Sequence, residues 1–250
     1  MATYIKHTCT SPNISSTNTG TITKWLYGII VELLGDDIET IDVNTDTTDK
    51  YNVYFKLIGC DDIVFNLYNS SSSLYTKVLG KDSKGSVTIS DETYSAIASS
   101  GMTSAINSNR IYDIYVIREP DTWAQVLVRY DSSYSSCGWT KIVEMCSGEE
   151  ISVALSTSNV APTYVHKCSD GSILQYSAST TIGDHNNGYI RLSPIYYSGY
   201  NFVGFLTNPA LVYRCVNNGN TLNILSCTEF TVAGIKFLSL GSGYAIRLDD

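Results

Sequence analysis

Tyr51-Asn-Val-Tyr-Phe-Lys-Leu-Ile58 and Ile63-Val-Phe-Asn-Leu-Tyr68 are two runs of β-branched, aromatic and aliphatic residues, separated by Gly59-Cys-Asp-Asp62. Such runs on either side of a turn read as a β-hairpin. Upstream, the period changes. Trp25, Leu26, Ile29, Ile30, Leu33 and Leu34 recur at helical spacing, Thr21 or Thr23 can cap the start, and Gly35 stops the run, which predicts a short helix with a wide apolar face. Residues 1–20 are rich in Ser, Thr and Asn, with Pro12 and Gly20. They read as an extended arm that gains order by docking on a partner.

Downstream, loops are expected at Ser70 to Ser73 and Lys81 to Gly85. A second helix is predicted from Ser90, with Asp91 and Glu92 in its first turn and Tyr94, Ile97, Ala98, Met102, Ala105 and Ile106 along one face, although Gly101 counts against it. Strands follow at Ile111 to Ile117, Ala124 to Tyr130, Thr140 to Met145 and Ile151 to Leu155. The Ser-, Thr- and Asn-rich stretch Ser156 to Pro162 is the expected linker. Beyond it, short strands alternate with turn signals at 169–171, 184–188, 197–199 and 217–220, and Glu229 to Val232, Ile235 to Leu240 and Tyr244 to Leu248 read as a three-strand meander. The fold expected is mainly β, α+β overall. It has an arm (1–20), a sheet domain with one or two short helices (21–156), and an all-β domain (157–250) forming a small sandwich or barrel.

With 43% hydrophobic and 16% charged residues in 250, the composition is that of a folded chain. The formal charge is −8, and 16 Lys plus Arg form no cluster, so nucleic acid is excluded as an expected partner. Trp25 to Leu34 is too short to span a bilayer, and Met1 to Asn13 has no export-type apolar stretch; no membrane is expected. Cys9, Cys60, Cys137, Cys146, Cys168, Cys215 and Cys227 are odd in number and include no C-x-x-C pair. Most are expected to be buried free thiols.

The chemistry of catalysis has little footing. No phosphate loop of the G-x-x-x-x-G-K or G-x-G-x-x-G type occurs, and His185 sits in an Asp-His-Asn-Asn-Gly turn without a nucleophile in an elbow. His166 and Cys168 with Cys215 and Cys227 have zinc chemistry but not the close pairing of a zinc site. Asp42, Asn44 and Asp46 lack the glycine and closing glutamate of a calcium loop. Asp36-Asp37, Asp61-Asp62 and Glu149-Glu150 are adjacent pairs, which point apart on an extended chain and read as solvated helix ends or hairpins. No cofactor, metal or catalytic residue is expected.

Tyrosine is the remaining resource, since its ring stacks while its hydroxyl hydrogen-bonds. Tyr189, Tyr196, Tyr197 and Tyr200 crowd a segment that also carries Asp184, Asn186 and Asn187, the place to expect a glycan or host-surface contact if there is one. Core and cross-strand packing is the competing role.

The closing string Phe230-Thr-Val-Ala-Gly-Ile-Lys-Phe-Leu-Ser-Leu-Gly-Ser-Gly-Tyr-Ala-Ile-Arg-Leu248 resembles the terminal β-meander of tail-fibre, baseplate and other virion proteins from phages of gut bacteria. The resemblance implies a virion protein assembled in the host bacterial cytoplasm as a trimer or ring. One domain would anchor to other virion proteins of the tail and another would face the host. It brings no catalytic residues. The expected function is therefore non-enzymatic and structural, with receptor or carbohydrate binding as one alternative. Another is a glycan hydrolase whose carboxylates come from separated parts of the chain.

Overall fold

The computed structural model describes residues 3–13, 20–47, 50–60, 63–70, 73–102, 109–119, 123–130, 133–144, 148–155, 164–166, 173–175, 177–179, 188–191, 195–198, 201–206, 212–217, 220–221, 229–232, 234–241 and 244–248. The first half runs β1 (Thr3–Thr10), α1 (Gly20–Leu34), a 3-10 turn (Gly35–Asp37), β2 (Ile38–Thr47), β3 (Lys50–Leu57), β4 (Ile63–Ser70), β5 (Ser73–Lys81), β6 (Val87–Ile89) and β7 (Glu92–Met102). Next come β8 (Ile111–Glu119), β9 (Trp123–Tyr130), β10 (Ser133–Glu144), β11 (Glu150–Leu155), β12 (Tyr164–His166), β13 (Ile173–Gln175) and β14 (Ser177–Ser179). The last are β15 (Gly188–Arg191), β16 (Ile195–Ser198), β17 (Asn201–Leu206), β18 (Val212–Asn217), β19 (Asn220–Thr221), β20 (Glu229–Val232), β21 (Ile235–Gly241) and β22 (Tyr244–Arg247). The fold is mainly β, as the residue patterns predict.

Three antiparallel sheets result. Strands β2-β3-β4-β5-β7-β6 form the first, and β1-β8-β9-β10-β11-β12-β13 with β14, β16 and β17 form a ten-stranded second. Strands β15-β18-β22-β21-β20, with β19 on β18, form the third. The opening hairpin is present with Val53 opposite Leu67 and Phe55 opposite Phe65. The C-terminal meander is present as β20, β21 and β22.

Helix α1 forms where its period predicts. Ile22, Leu26, Ile30 and Leu34 are one turn apart and fully buried, each burial contributing roughly 1.5–3 kcal/mol. Trp25, Ile29 and Leu33 flank that stripe, half-buried. Gly35 ends the helix at φ +57, a conformation that costs an L residue and not glycine. Arg118 of β8 then closes the end. Its guanidinium donates to the Leu34 carbonyl at 3.3 Å and pairs with the Asp37 carboxylate, placing a cation on the negative pole of the helix.

The helix lies between two sheets. Tyr27 tilts against Phe55 of β3 at 5.4 Å, while Trp25 meets Tyr112 of β8 edge-on at 5.6 Å. Val53, Phe55, Leu57, Ile63, Phe65 and Leu67 from the first sheet and Ile114, Val116, Val126 and Trp139 from the second complete this core. The opposite face of the second sheet is buried too, through Tyr115, Ile117, Gln125 and Leu127. Period-two alternation therefore fails to show an outside in the middle of β8 and β9, where Ile114–Ile117 and Val126–Val128 are unbroken apolar runs.

The predicted second helix is a hairpin instead. Ser90 and Asp91 have φ of 48 and 67 and link β6 to β7, with Ile89 opposite Glu92. Two successive left-handed residues make the tight turn that suits strand twist. Ser and Asp favour helix starts and such turns alike, so the local signal was ambiguous. Strand β7 then pairs along β5; Ala105 and Ile106 lie outside the described residues.

Within the expected arm, Thr3–Thr10 is not a free extension but β1, paired with β8 of its own chain from Thr3 opposite Arg118 to Thr10 opposite Ile111. Ile5 and Cys9 pack on the core. The expected linker at 156–162 lies outside the described residues. Strands on either side of it share one sheet, β11 pairing with β12 and β10 with β17.

Candidate functional site

Two polar clusters stand out among the described residues. The first is the outer face of the opening hairpin and its neighbours. Alternation turns Val53, Phe55 and Leu57 toward the helix, so Asn52, Tyr54 and Lys56 share the opposite face with Asn66 and Tyr68 of β4 and Tyr75 and Lys77 of β5, beside a small buried cluster of Val64, Leu79, Ile89 and Tyr94 on which Tyr54 packs. Cross-strand register brings them together: Asn52 opposite Tyr68, Tyr68 opposite Tyr75, Tyr54 opposite Asn66, Asn66 opposite Lys77. Tyr68 and Tyr75 stack at 5.2 Å, and the Lys77 ammonium lies 4.8 Å above the Tyr68 ring, an attraction of about 0.5–1 kcal/mol. Asn66 is buried, and its amide donates to the Val53 carbonyl at 2.9 Å and to the Asn52 side chain. Tyr68 is thus engaged by Tyr75 and Lys77, so this face offers hydroxyls, amides and two cations, Lys56 and Lys77. That chemistry suits polar contacts with another surface.

The second cluster is a seam between the chain's beginning and end. The Glu229 carboxylate at the start of β20 accepts from the Tyr4 hydroxyl at 2.9 Å and lies 3.6 Å from the Lys6 ammonium and 3.1 Å from that of Lys236. Lys6 also sits 5.4 Å over the buried Tyr115 ring. Burial alone pushes the Glu229 carboxyl up, but the hydrogen bonds from Lys236 and Tyr4 and the charges of Lys236 and Lys6 outweigh it and hold the group below its ordinary range. A folded-state value below the unfolded one adds stability that is complete above the ordinary value of 4.5 and is lost as pH falls through the depressed one. Glu229→Gln is therefore expected to cost about 1 kcal/mol at neutral pH. It should also flatten the fall of thermal midpoint on acidification, measured by a scan of midpoint against pH for both proteins.

The glycan-contact residues expected from the sequence are not brought together by what is described. Asp184, Asn186, Asn187 and Tyr200 lie outside the described residues. Tyr189 is on β15 of the third sheet, opposite Cys215, whereas Tyr196 and Tyr197 are consecutive on β16 of the ten-stranded sheet, with a register shift between them. Of the zinc candidates, His166 ends β12 and Cys215 is on β18, in different sheets; Cys168 and Cys227 lie outside the described residues. Asp42, Asn44 and Asp46 fall on strand β2, not on a loop. Cys9 and Cys60 are free thiols, half-buried and buried. Burial, with the nearby Asp113 charge, pushes the Cys9 thiol up to about 11, so it stays protonated and unreactive at neutral pH. The side chains of the other five cysteines are not described.

Sequence reasoning missed Tyr54, Tyr68, Tyr75 and Lys77 as a cluster. The signal is present in the alternation of the hairpin itself, where Asn52, Tyr54 and Lys56, then Asn66 and Tyr68, alternate with apolar residues. The seam at Glu229 has no comparable signal, because only Lys236 is near it in sequence and Tyr4 and Lys6 come from the distant strand β1.

Geometry thus defines a layered antiparallel β protein with two polar contact clusters. The sequence matches no protein-family model, and no curated protein matches it.

Proposed function

We propose that the chain is a non-enzymatic structural component of a phage virion, associated with the tail or baseplate. It works as a homo-oligomer in contact with other virion proteins. The observation that carries this reading is the seam. Strands β1 and β20, of different sheets, are tied by Tyr4, Lys6 and Glu229, and the ten-stranded sheet is buried on both faces around β8 and β9, which makes one layered body. Such a body suits a structural subunit with contact surfaces on its outside. The resemblance of 230–248 to virion meanders supports the phage setting.

The test is quantitative mass spectrometry of density-purified particles from the phage that encodes the chain. The chain is expected in intact particles at a fixed ratio to the major tail protein. Its recovery only in the soluble lysate would overturn the proposal. A receptor-binding role is the second reading, favoured by the polar tyrosine face of β3, β4 and β5. Adhesion of the purified chain to host cells, lost in Tyr54→Ala plus Tyr75→Ala, would support it.

A further inference from the structure

Strand β1 ends the ten-stranded sheet, and among the described residues its one strand neighbour is β8. The Ser11 amide donates to the Arg110 carbonyl at 2.7 Å, and the Arg110 amide to the Ser11 hydroxyl at 3.0 Å. These two residues stand opposite, one step beyond Thr10 and Ile111 in the register. Hydrogen-bonded and non-bonded pairs alternate along an antiparallel ladder. Cys9, His7 and Ile5 therefore turn their backbone groups to β8, while Lys6, Thr8 and Thr10 turn theirs outward.

Open strand edges are normally blunted by bulges, short length, proline or charge. The other sheet ends fit that rule. Strand β2 breaks register twice and carries exposed Glu39 and Asp42; β6, β13 and β14 have three residues each, and β15 and β20 have four, β20 beginning with Glu229. Strand β1 differs, with eight residues in unbroken register and no proline. Its charged group, Lys6, is drawn aside to Glu229.

We propose that β1 is a strand-addition edge that pairs antiparallel with β1 of a second copy, centred on His7, continuing the sheet across a two-fold axis. An unbroken eight-residue edge is best matched by the same edge, the self-complementary arrangement of an isologous dimer. Centring on His7 sets outward groups against outward groups, with Lys6 opposite Thr8 of the second copy and Thr8 opposite Lys6. It also keeps the two lysines from facing each other, which would cost stability. The inference deepens the homo-oligomer of the proposed function by naming its edge; it does not rest on the phage setting, which the particle assay tests separately.

The test compares full-length wild type, Thr8→Ala and Thr8→Pro by sedimentation equilibrium. Both variants lose the Thr8 hydroxyl bond to Asp113 at 2.6 Å, but only proline removes the outward amide, at a position where an edge strand tolerates it. Wild type and Thr8→Ala are expected to dimerise alike, with Thr8→Pro at least about tenfold weaker and unchanged in circular dichroism. A wild type that stays monomeric to its solubility limit, or a Thr8→Pro that dimerises as tightly as Thr8→Ala, would overturn the proposal. If Thr8→Pro does not fold, hydrogen exchange of wild type decides. Lys6 and Thr8 amides that slow as protein concentration rises support the edge pairing, and fast exchange independent of concentration refutes it.

Discussion

Phe55→Ala is expected to destabilise the protein by about 3–5 kcal/mol, read as a fall in the urea midpoint at unchanged slope. Phe55 is 1% exposed and stands where the helix meets the first sheet, its ring 5.4 Å from Tyr27 and 5.7 Å from Phe65. Truncation removes the ring from both neighbours and leaves a cavity between a helix and a strand, neither of which can close it without breaking its own hydrogen bonds. Val43→Ala is the contrast. Val43 is 41% exposed on β2, and its loss should stay within about 0.5 kcal/mol. Equal effects at the two positions would mean that the helix does not pack where it is described.

Gly138→Ala should be the second large effect, at about 1–3 kcal/mol, and it acts by crowding instead of by loss. Gly138 is opposite Gln125 in the β9–β10 ladder, and a Cβ there would lie 2.6 Å from the Ala124 carbonyl oxygen and 2.8 Å from the Gln125 Cα. Both are backbone atoms in a sheet buried on its two faces, so neither can yield cheaply. The same change at Gly28 meets nothing within 4 Å on the exposed side of α1, where alanine should stabilise by roughly 0.5–1 kcal/mol. Opposite signs for the two Gly→Ala changes in thermal melts are the expected pattern. A neutral Gly138→Ala would argue against the β9–β10 pairing.

Local patterns made much of this fold legible. The 51–68 hairpin, the α1 stripe and the closing meander each carry their own period and turn, and each forms where its residues predict. Two misreadings have definite causes. Ser90-Asp91 can start a helix or make a left-handed two-residue turn, and the choice depends on whether Val87–Ile89 finds a strand to pair with. Residues 3–10 look too polar for a packed strand because only one face, Ile5 and Cys9, reaches the core.

Long-range pairing was not legible at all. Nothing near Thr3–Thr10 names β8 as its partner, a pairing that spans over a hundred residues from Thr10 to Ile111, and nothing near β10 announces β17. The candidate sites follow the same division. The tyrosine face of β3, β4 and β5 could have been read from alternation, whereas the Glu229 seam depends on how β1 and β20 meet. Proximity in sequence made 184–200 look like one patch, yet Tyr189 and Tyr196 belong to different sheets.

We propose that this layered body is a building block of a phage particle. Cryo-electron microscopy of the purified particle tests it most directly. Density for the three sheets is expected in symmetry-related copies at the tail or baseplate, with the outer face of β3, β4 and β5 or the edge of β1 against a neighbour. A complete particle map in which every tail and baseplate density belongs to other chains would contradict it.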